Sequence, residues 1–83
     1  MSKSTKISKS NEFRYIQIGL NISYYRKLRG YTQESFSEIS NISRAYISAI
    51  EAPNIVKSIS LEVLFKIADA LEIEPYKLVE FRD

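Results

Sequence analysis

Two short amphipathic segments, only three residues apart, constrain the fold of this chain more than any other feature. They span residues 33–40 and 44–51. Thr32 and Ser43, which directly precede them, are residue types that cap helix amino termini well. Asn41 lies between the segments and tolerates the left-handed backbone of a tight turn. Helices this short and this close cannot run antiparallel, so we expect them to cross steeply.

The rest of the chain also shows helical periodicity. From Glu12 onwards, apolar residues recur every three or four positions until Gly30, which suits a helix stop. Ser60 precedes the strongest apolar stripe of the chain, 61–71, and Pro75 suits the first turn of a short fifth helix. No segment alternates with period two over a useful length. The sequence therefore predicts an all-α, compact five-helix domain.

The first eleven residues, MSKSTKISKSN, differ from the rest of the chain. Their only sizeable apolar groups are Ile7 and the initial methionine, so little burial is available to offset the entropy of ordering. We expect residues 1–11 to form a disordered basic arm and residues 12–83 to form the folded domain.

Charge is unevenly distributed, although the net charge is only +2. Segment 1–10 carries +3, segment 11–59 carries +2 and segment 60–83 carries −3. A basic amino-terminal two-thirds favours a polyanionic partner, but an ordinary solvated face explains such charge runs at least as often. Charge alone therefore leaves the partner open.

Composition limits the chemistry available to such a domain. The 83 residues include no cysteine and no histidine, which excludes disulfides, thiolate and imidazole catalysis, and the usual zinc sites. Glu34 and Glu38 are four residues apart, but they lie on a solvent face without a nucleophile. No apolar run reaches the ~18 residues of a membrane span, and the polar start is unlike a signal peptide. We expect a cytoplasmic chain that is not an enzyme and needs no metal, cofactor, small-molecule ligand or membrane.

A helical wheel divides segment 44–51 into two arcs. Bulky residues, including Ile47 and Ile50, occupy the arc expected to face the core. The opposite arc is polar or small and consists of Arg44, Ala45, Ser48 and Ala49. The second helix of a helix-turn-helix can enter the major groove of DNA, where this arc would face the bases. Any amphipathic surface helix shows a similar division, so the wheel alone does not distinguish a DNA-reading helix from an ordinary surface helix.

The motif residues resemble those of a known family. The segment TQESFSEISNISRAYISAIE is similar to the helix-turn-helix of Cro and repressor-type regulators, the xenobiotic-response-element family, and the resemblance extends from about residue 18 to residue 79. Its details, Ser40-Asn41 and Arg44-x-Tyr46-Ile47-Ser48, look most like the short controller proteins of restriction–modification systems. The resemblance implies a repressor-like fold and a transcriptional regulator that binds double-stranded DNA sequence-specifically, as a homodimer on an inverted-repeat operator.

Four positions depart from the family pattern. Ser37 replaces the customary alanine where the two helices cross, and Asn41 replaces the turn glycine. Both residues are compatible with the fold. Ala52-Pro53 replaces the usual Arg-Gly after the recognition helix, which changes the expected phosphate contacts there.

The resemblance implies roles for individual residues. Gln33 is expected to bond a phosphate, although it is also compatible with an ordinary polar residue in the first turn of a helix. The loop residues Asn54 and Lys57 are expected to contact the DNA backbone, and the alternative for both is plain solvation of the loop. The family pattern also implies a partly buried ion pair between Arg26 and Glu51, which ties the recognition helix to the first helix. The alternative is an exposed pair that contributes little.

Other roles follow from position on the recognition helix. Arg44 is the only residue of the base-facing arc able to make a two-pronged contact with guanine, while its alternative role is a phosphate contact. The alanines of the arc can at most touch thymine methyl groups. Ser43 and Tyr46 flank the arc and are expected to reach phosphates, although Tyr46 is equally compatible with the core.

A second class of function stays open, in which the same fold serves as an antitoxin or adaptor that binds other proteins. The chain contains ten aromatic residues, six tyrosines and four phenylalanines. Some of Phe13, Tyr24, Tyr76 and Phe81 are candidates for an exposed interface, unless they complete the core. We expect at least one homodimer contact, formed by the fourth and fifth helices and Phe81.

Overall fold

The computed structural model describes residues 6–81 and contains, within this range, helices and loops but no strand. Four α-helices and one 3₁₀ helix follow each other along the chain: α1 (Lys9–Leu28), α2 (Gln33–Ser40), α3 (Arg44–Glu51), α4 (Leu61–Leu71) and the 3₁₀ helix (Pro75–Val79). The all-α prediction is therefore confirmed. The fifth element corrects the predicted five-helix count, because five residues without a side-chain cap form a tight 3₁₀ turn instead of an α-helix.

Helix α1 begins earlier than the sequence predicts. The Ser8 hydroxyl accepts a hydrogen bond from the backbone N–H of Asn11 at 3.3 Å, and Glu12 N–H donates to the Ser8 carbonyl at 2.8 Å. Residues 9–11, which we predicted to be part of the arm, are therefore the first turn of α1. An amino-terminal cap stabilises a turn that buries no apolar surface. The predicted arm otherwise falls mainly on residues 1–5, which lie outside the described residues.

The first helix stops where the sequence predicts. Gly30 adopts a φ of 83°, in the left-handed region. Its N–H donates to the Lys27 carbonyl at 2.9 Å, and the Tyr31 N–H donates to the Arg26 carbonyl at 3.0 Å. This pair of bonds is the Schellman motif, which satisfies carbonyls at a helix end. Asn41 ends α2 in the same conformation, with a φ of 61°, as predicted.

The core draws on every element. The largest fully buried side chains come from all five helices: Ile22, Phe36, Ile47, Ile67, Leu71 and Leu78. The short 3₁₀ helix is thus an integral part of the domain. Asn21 of α1 fixes it in place by donating hydrogen bonds to the carbonyls of Leu78 and Glu80, at 3.0 Å and 2.9 Å. A buried amide requires such partners, because desolvating it without them is costly.

Helix α4 ends on a residue that is poorly suited to its backbone conformation. Glu72 has a φ of 60°, and its N–H and that of Ile73 close a second Schellman motif on Asp69 and Ala68. The left-handed conformation costs a non-glycine residue about 1–2 kcal/mol. The Arg29 guanidinium donates to the Glu72 carbonyl at 3.0 Å, a contact that does not depend on the Glu72 side chain.

We predict that Glu72→Gly stabilises the protein by about 0.5–1 kcal/mol, because glycine relieves the backbone strain while gaining some entropy in the unfolded chain. Urea unfolding measures the change. Asn41→Gly is the matched control, since asparagine already tolerates this conformation, and we expect a smaller gain there. A loss of stability in Glu72→Gly would contradict the prediction.

Candidate nucleic-acid interface

Helix α3 presents the predicted arc to solvent. Arg44, Ala45 and Ser48 are exposed, and Ala49 is half-buried. On the opposite side, Ile47 and Ile50 are buried in the core. The division predicted by the helical wheel is therefore present in the fold. The exposed face of α3 therefore consists of small side chains and one arginine. Such a face can fit closely into a DNA groove.

The start of α3 is capped by the residue that was expected to reach a phosphate. The Ser43 hydroxyl oxygen accepts a hydrogen bond from the backbone N–H of Tyr46 at 3.1 Å. Its hydroxyl proton is still able to donate to an acceptor. Ser43 is exposed, so the capping role and a contact outside the protein are compatible.

Tyr46 and Lys57 lie together beside this helix. The Lys57 ammonium is 5.2 Å from the centroid of the Tyr46 ring, within the range of a cation–π interaction. The Tyr46 hydroxyl lies 3.5 Å from the Ser58 carbonyl. Burial raises the pKa of the Tyr46 hydroxyl above its ordinary value, so the group stays a protonated donor at neutral pH. Asn54 is exposed in the same loop, 52–60.

A buried ion pair holds α3 against α1. Arg26 Nε donates to Glu51 Oε2 and Arg26 Nη2 donates to Glu51 Oε1, both at 2.8 Å. Both side chains are less than a tenth exposed. The predicted Arg26–Glu51 ion pair is thus present, in the bidentate geometry that matches a guanidinium to a carboxylate. The alternative of an exposed pair is wrong.

Two further hydrogen bonds complete this cluster, and the sequence did not reveal either. Arg26 Nη1 donates to the Tyr31 carbonyl at 2.7 Å, and Gln33 Nε2 donates to Glu51 Oε1 at 3.1 Å. Hydrogen bonding to Glu51 raises the pKa of Arg26 by more than burial lowers it, so the guanidinium stays charged. Gln33 therefore contributes to the positioning of α3, in addition to any contact with a phosphate.

A close backbone contact between α1 and α3 depends on Gly19. A Cβ atom at this position would overlap the carbonyl oxygen of Ile50. The helices therefore approach each other within a distance that only glycine permits. The reason for a glycine at this position is visible only once the two helices are packed.

The turn between α2 and α3 has its own hydrogen bonds. Ser37 Oγ donates to the Ile42 carbonyl at 2.6 Å, and the Ile42 N–H donates to Ser40 Oγ at 3.3 Å. The serine that replaces the family's customary alanine thus ties α2 to the turn. This contact helps to fix the angle between α2 and α3.

Two other kinds of site are absent from the described part of the chain. Among residues 6–81, no three carboxylates are grouped in a way that could hold a metal ion. None of the helices in that range is long and apolar enough to cross a membrane.

Comparison with known proteins points to one family. The profile of the helix-turn-helix family HTH_3 matches residues 22–78. The HTH-type transcriptional regulator SinR of Bacillus licheniformis is 30% identical over 66 residues, which are 80% of this chain and 59% of that protein. The SinR of Bacillus subtilis is similar, at 30% over 63 residues and 76% and 56% coverage. The chain thus spans less than two thirds of the length of these relatives.

Two solved structures share the fold. The restriction-modification controller protein C.AhdI from Aeromonas hydrophila superposes with a TM-score of 0.71 at 30% identity, covering 77% of this chain and 94% of that one. The master regulator for biofilm formation SinR, solved in complex with DNA, superposes with a TM-score of 0.71 at 30% identity, covering 76% and 98%.

The buried ion pair predicts a pattern of stabilities in a double-mutant cycle. Arg26→Met or Glu51→Leu alone strands one buried charge and should destabilise the protein by about 3–5 kcal/mol. The double variant removes both charges and should recover much of that loss. Urea unfolding of the three variants measures these values. Single-variant losses below ~1 kcal/mol that simply add would contradict the prediction.

Proposed function

The chain belongs to the helix-turn-helix family HTH_3, and from this premise we propose that it is a transcriptional regulator that binds double-stranded DNA sequence-specifically. The observation that carries the proposal is the exposed, small-sided arc of α3, whose opposite side is locked into the core. A related protein, SinR, has been solved with DNA, and nearly all of that chain aligns with this fold. We propose no enzymatic activity, and we expect the chain in the cytoplasm.

We propose that α3 reads the major groove through the arc described above. Arg44 is exposed at the first turn of α3 and carries the only guanidinium of the arc. A two-pronged hydrogen bond to guanine O6 and N7 is the contact for which this side chain is suited. Ala45 and Ala49 offer methyl groups to thymine, and Ser48 offers a hydroxyl. A reading surface with one long side chain discriminates few bases.

Contacts to the DNA backbone are proposed on both sides of this arc, through Gln33, Ser43, Tyr46, Asn54 and Lys57. The pairing of Lys57 with Tyr46 supports this proposal, because it places an ammonium and a phenol donor side by side next to the recognition helix. Phosphate contacts fix register and orientation without reading sequence. In Gln33 the amide is already bonded to Glu51, so a phosphate contact there would come from its second amide proton or its backbone N–H.

We further propose that the chain acts as a homodimer on an inverted repeat. Large apolar side chains are exposed on α4, on the 3₁₀ helix and just after it: Leu61, Phe65, Tyr76, Val79 and Phe81. Their number exceeds the few scattered apolar side chains expected on a monomer surface. A second copy that covers them would bring two recognition helices into two half-sites, and the limited reading of one helix would be doubled.

We propose that the cationic side chains of Arg44 and Lys57 both contact DNA, and replacing them should affect DNA binding in different ways. Arg44→Ala should lose about 1–3 kcal/mol of discrimination at one base pair, because the two-pronged contact is lost. Lys57→Ala, the matched control, should weaken matched and mismatched sites alike. Titration of both variants against a selected duplex and a singly mismatched duplex measures this. If Arg44→Ala weakened binding to matched and mismatched duplexes equally, Arg44 would contact a phosphate and not a base.

The dimer proposal predicts the architecture of the operator. Duplexes selected from random DNA should contain two inverted half-sites with centres about 34 Å apart, one helical turn. Phe65→Glu should convert the protein to a monomer and remove the preference for the second half-site, because a charge would be buried in the interface. Selected sites without an inverted repeat, combined with a monomeric mass in sedimentation, would contradict the proposal.

A further inference from the structure

Tyr46 contacts two consecutive residues of the loop that follows the recognition helix. Its ring lies beneath the Lys57 ammonium, with 5.2 Å between the nitrogen and the ring centroid. Its hydroxyl donates a hydrogen bond to the carbonyl of the next residue, Ser58, at 3.5 Å. One side chain of α3 therefore holds this part of the loop twice, once through the lysine side chain and once through the backbone.

Few other polar contacts hold this part of the loop. At its start, the Ile55 N–H donates to the Ala52 carbonyl at 3.2 Å and closes a turn. Within residues 6–81, the backbone groups of residues 56–59 make no hydrogen bond except the one between Ser58 and Tyr46. Ile59 packs against the core, but it lies beyond Lys57 in the chain. The position of Lys57 relative to α3 therefore depends on Tyr46.

The ring of Tyr46 is itself held in place. It is half-buried and packs against the hydrophobic core, while the backbone N–H of the same residue donates to the Ser43 cap. A ring fixed in this way offers a constant surface to a cation. An ammonium group has three N–H donors, so a lysine over the ring still has donors for a phosphate oxygen.

Lys57 is the only charged residue between Glu51 and Glu62. The electrostatic attraction of this loop for a phosphate therefore comes from one side chain. A lysine that contacts a phosphate loses much of its rotamer freedom. A lysine already held over an aromatic ring loses less of it on binding, because part of that freedom is absent in the free protein.

We propose that Tyr46 is a positioning residue that acts on DNA through Lys57, by holding the ammonium beside α3 where it meets a phosphate of the bound duplex. The inference rests on the DNA binding proposed above. It adds a role to the direct phosphate contact proposed there for the Tyr46 hydroxyl, and the two roles differ in salt dependence. A neutral phenol displaces no counterion from DNA, whereas an ammonium that neutralises a phosphate does.

The salt dependence of DNA binding tests the proposal. Affinity for a duplex selected with the wild-type protein is measured between about 50 and 200 mM salt, where one phosphate contact accounts for roughly a threefold change. Lys57→Ala should lower the slope of log affinity against log salt concentration by about 0.9, the value for one contact. Tyr46→Leu should lower the slope by at least half as much, because Lys57 is no longer held. Adding Tyr46→Leu to Lys57→Ala should lower it no further.

Two further variants are controls. Tyr46→Phe keeps the ring and should keep the wild-type slope, whatever affinity the hydroxyl contributes. Tyr31 is also a half-buried tyrosine at the edge of the core, but its ring packs against Phe36, with 5.9 Å between the centroids. Tyr31→Leu should therefore leave the slope unchanged. An unchanged slope in Tyr46→Leu or in Lys57→Ala would overturn the proposal, whereas an absence of wild-type binding to any duplex would overturn the proposed function itself.

NMR of the free protein tests the contact without DNA. Protons above the face of an aromatic ring resonate upfield. The ε-methylene protons of Lys57 should therefore lie upfield of those of Lys66, an exposed lysine of α4, in the wild type and in Tyr46→Phe. In Tyr46→Leu the two lysines should give similar shifts, and the dispersion of the same spectrum reports whether the variant is folded. Similar shifts in the wild type would overturn the proposal, even if the protein binds DNA.

Discussion

The buried ion pair between Arg26 and Glu51 is the interaction on which the rest of the structure depends. It joins the last turn of α1 to the last residue of the recognition helix, and Gln33 extends the network to α2. Two charges removed from water repay their desolvation only when the geometry is good and the remaining donors are satisfied. Here the guanidinium is bidentate and its third nitrogen bonds the Tyr31 carbonyl. The pair therefore holds one angle between α1 and α3.

Helix α1 performs several structural tasks at once. Gly19 permits the close approach to α3, and Asn21 fixes the end of the 3₁₀ helix by donating to the carbonyls of Leu78 and Glu80. A recognition helix of only eight residues has little stability of its own, because short helices depend on tertiary packing. The orientation of α3 consequently depends on its contacts with α1 and on the turn that Ser37 stabilises.

In the proposed interface, different side chains contact the bases and the DNA backbone. Small side chains and Arg44 face outward from a helix whose other face is fully packed, while Tyr46 and Lys57 sit beside it as a paired donor and cation. Backbone contacts of this kind position a protein on the duplex and leave selectivity to the few side chains that reach the bases. The arrangement supports a regulator whose specificity grows when two copies bind together.

Sequence by itself determined α2, α3 and α4, the end of α1 and the division of α3 into two faces, because these follow from local periodicity and from residue types such as Gly30, Asn41 and Ser43. Resemblance to a family added the Arg26–Glu51 pair. Tertiary structure alone decided the rest. Gln33 turns towards Glu51, Ser37 bonds the Ile42 carbonyl, and Glu72 accepts a left-handed backbone, because each depends on groups brought close by packing. The exposure of Phe13, Leu20 and Leu28 on α1 also became evident only then, because it depends on which side chains the other elements cover.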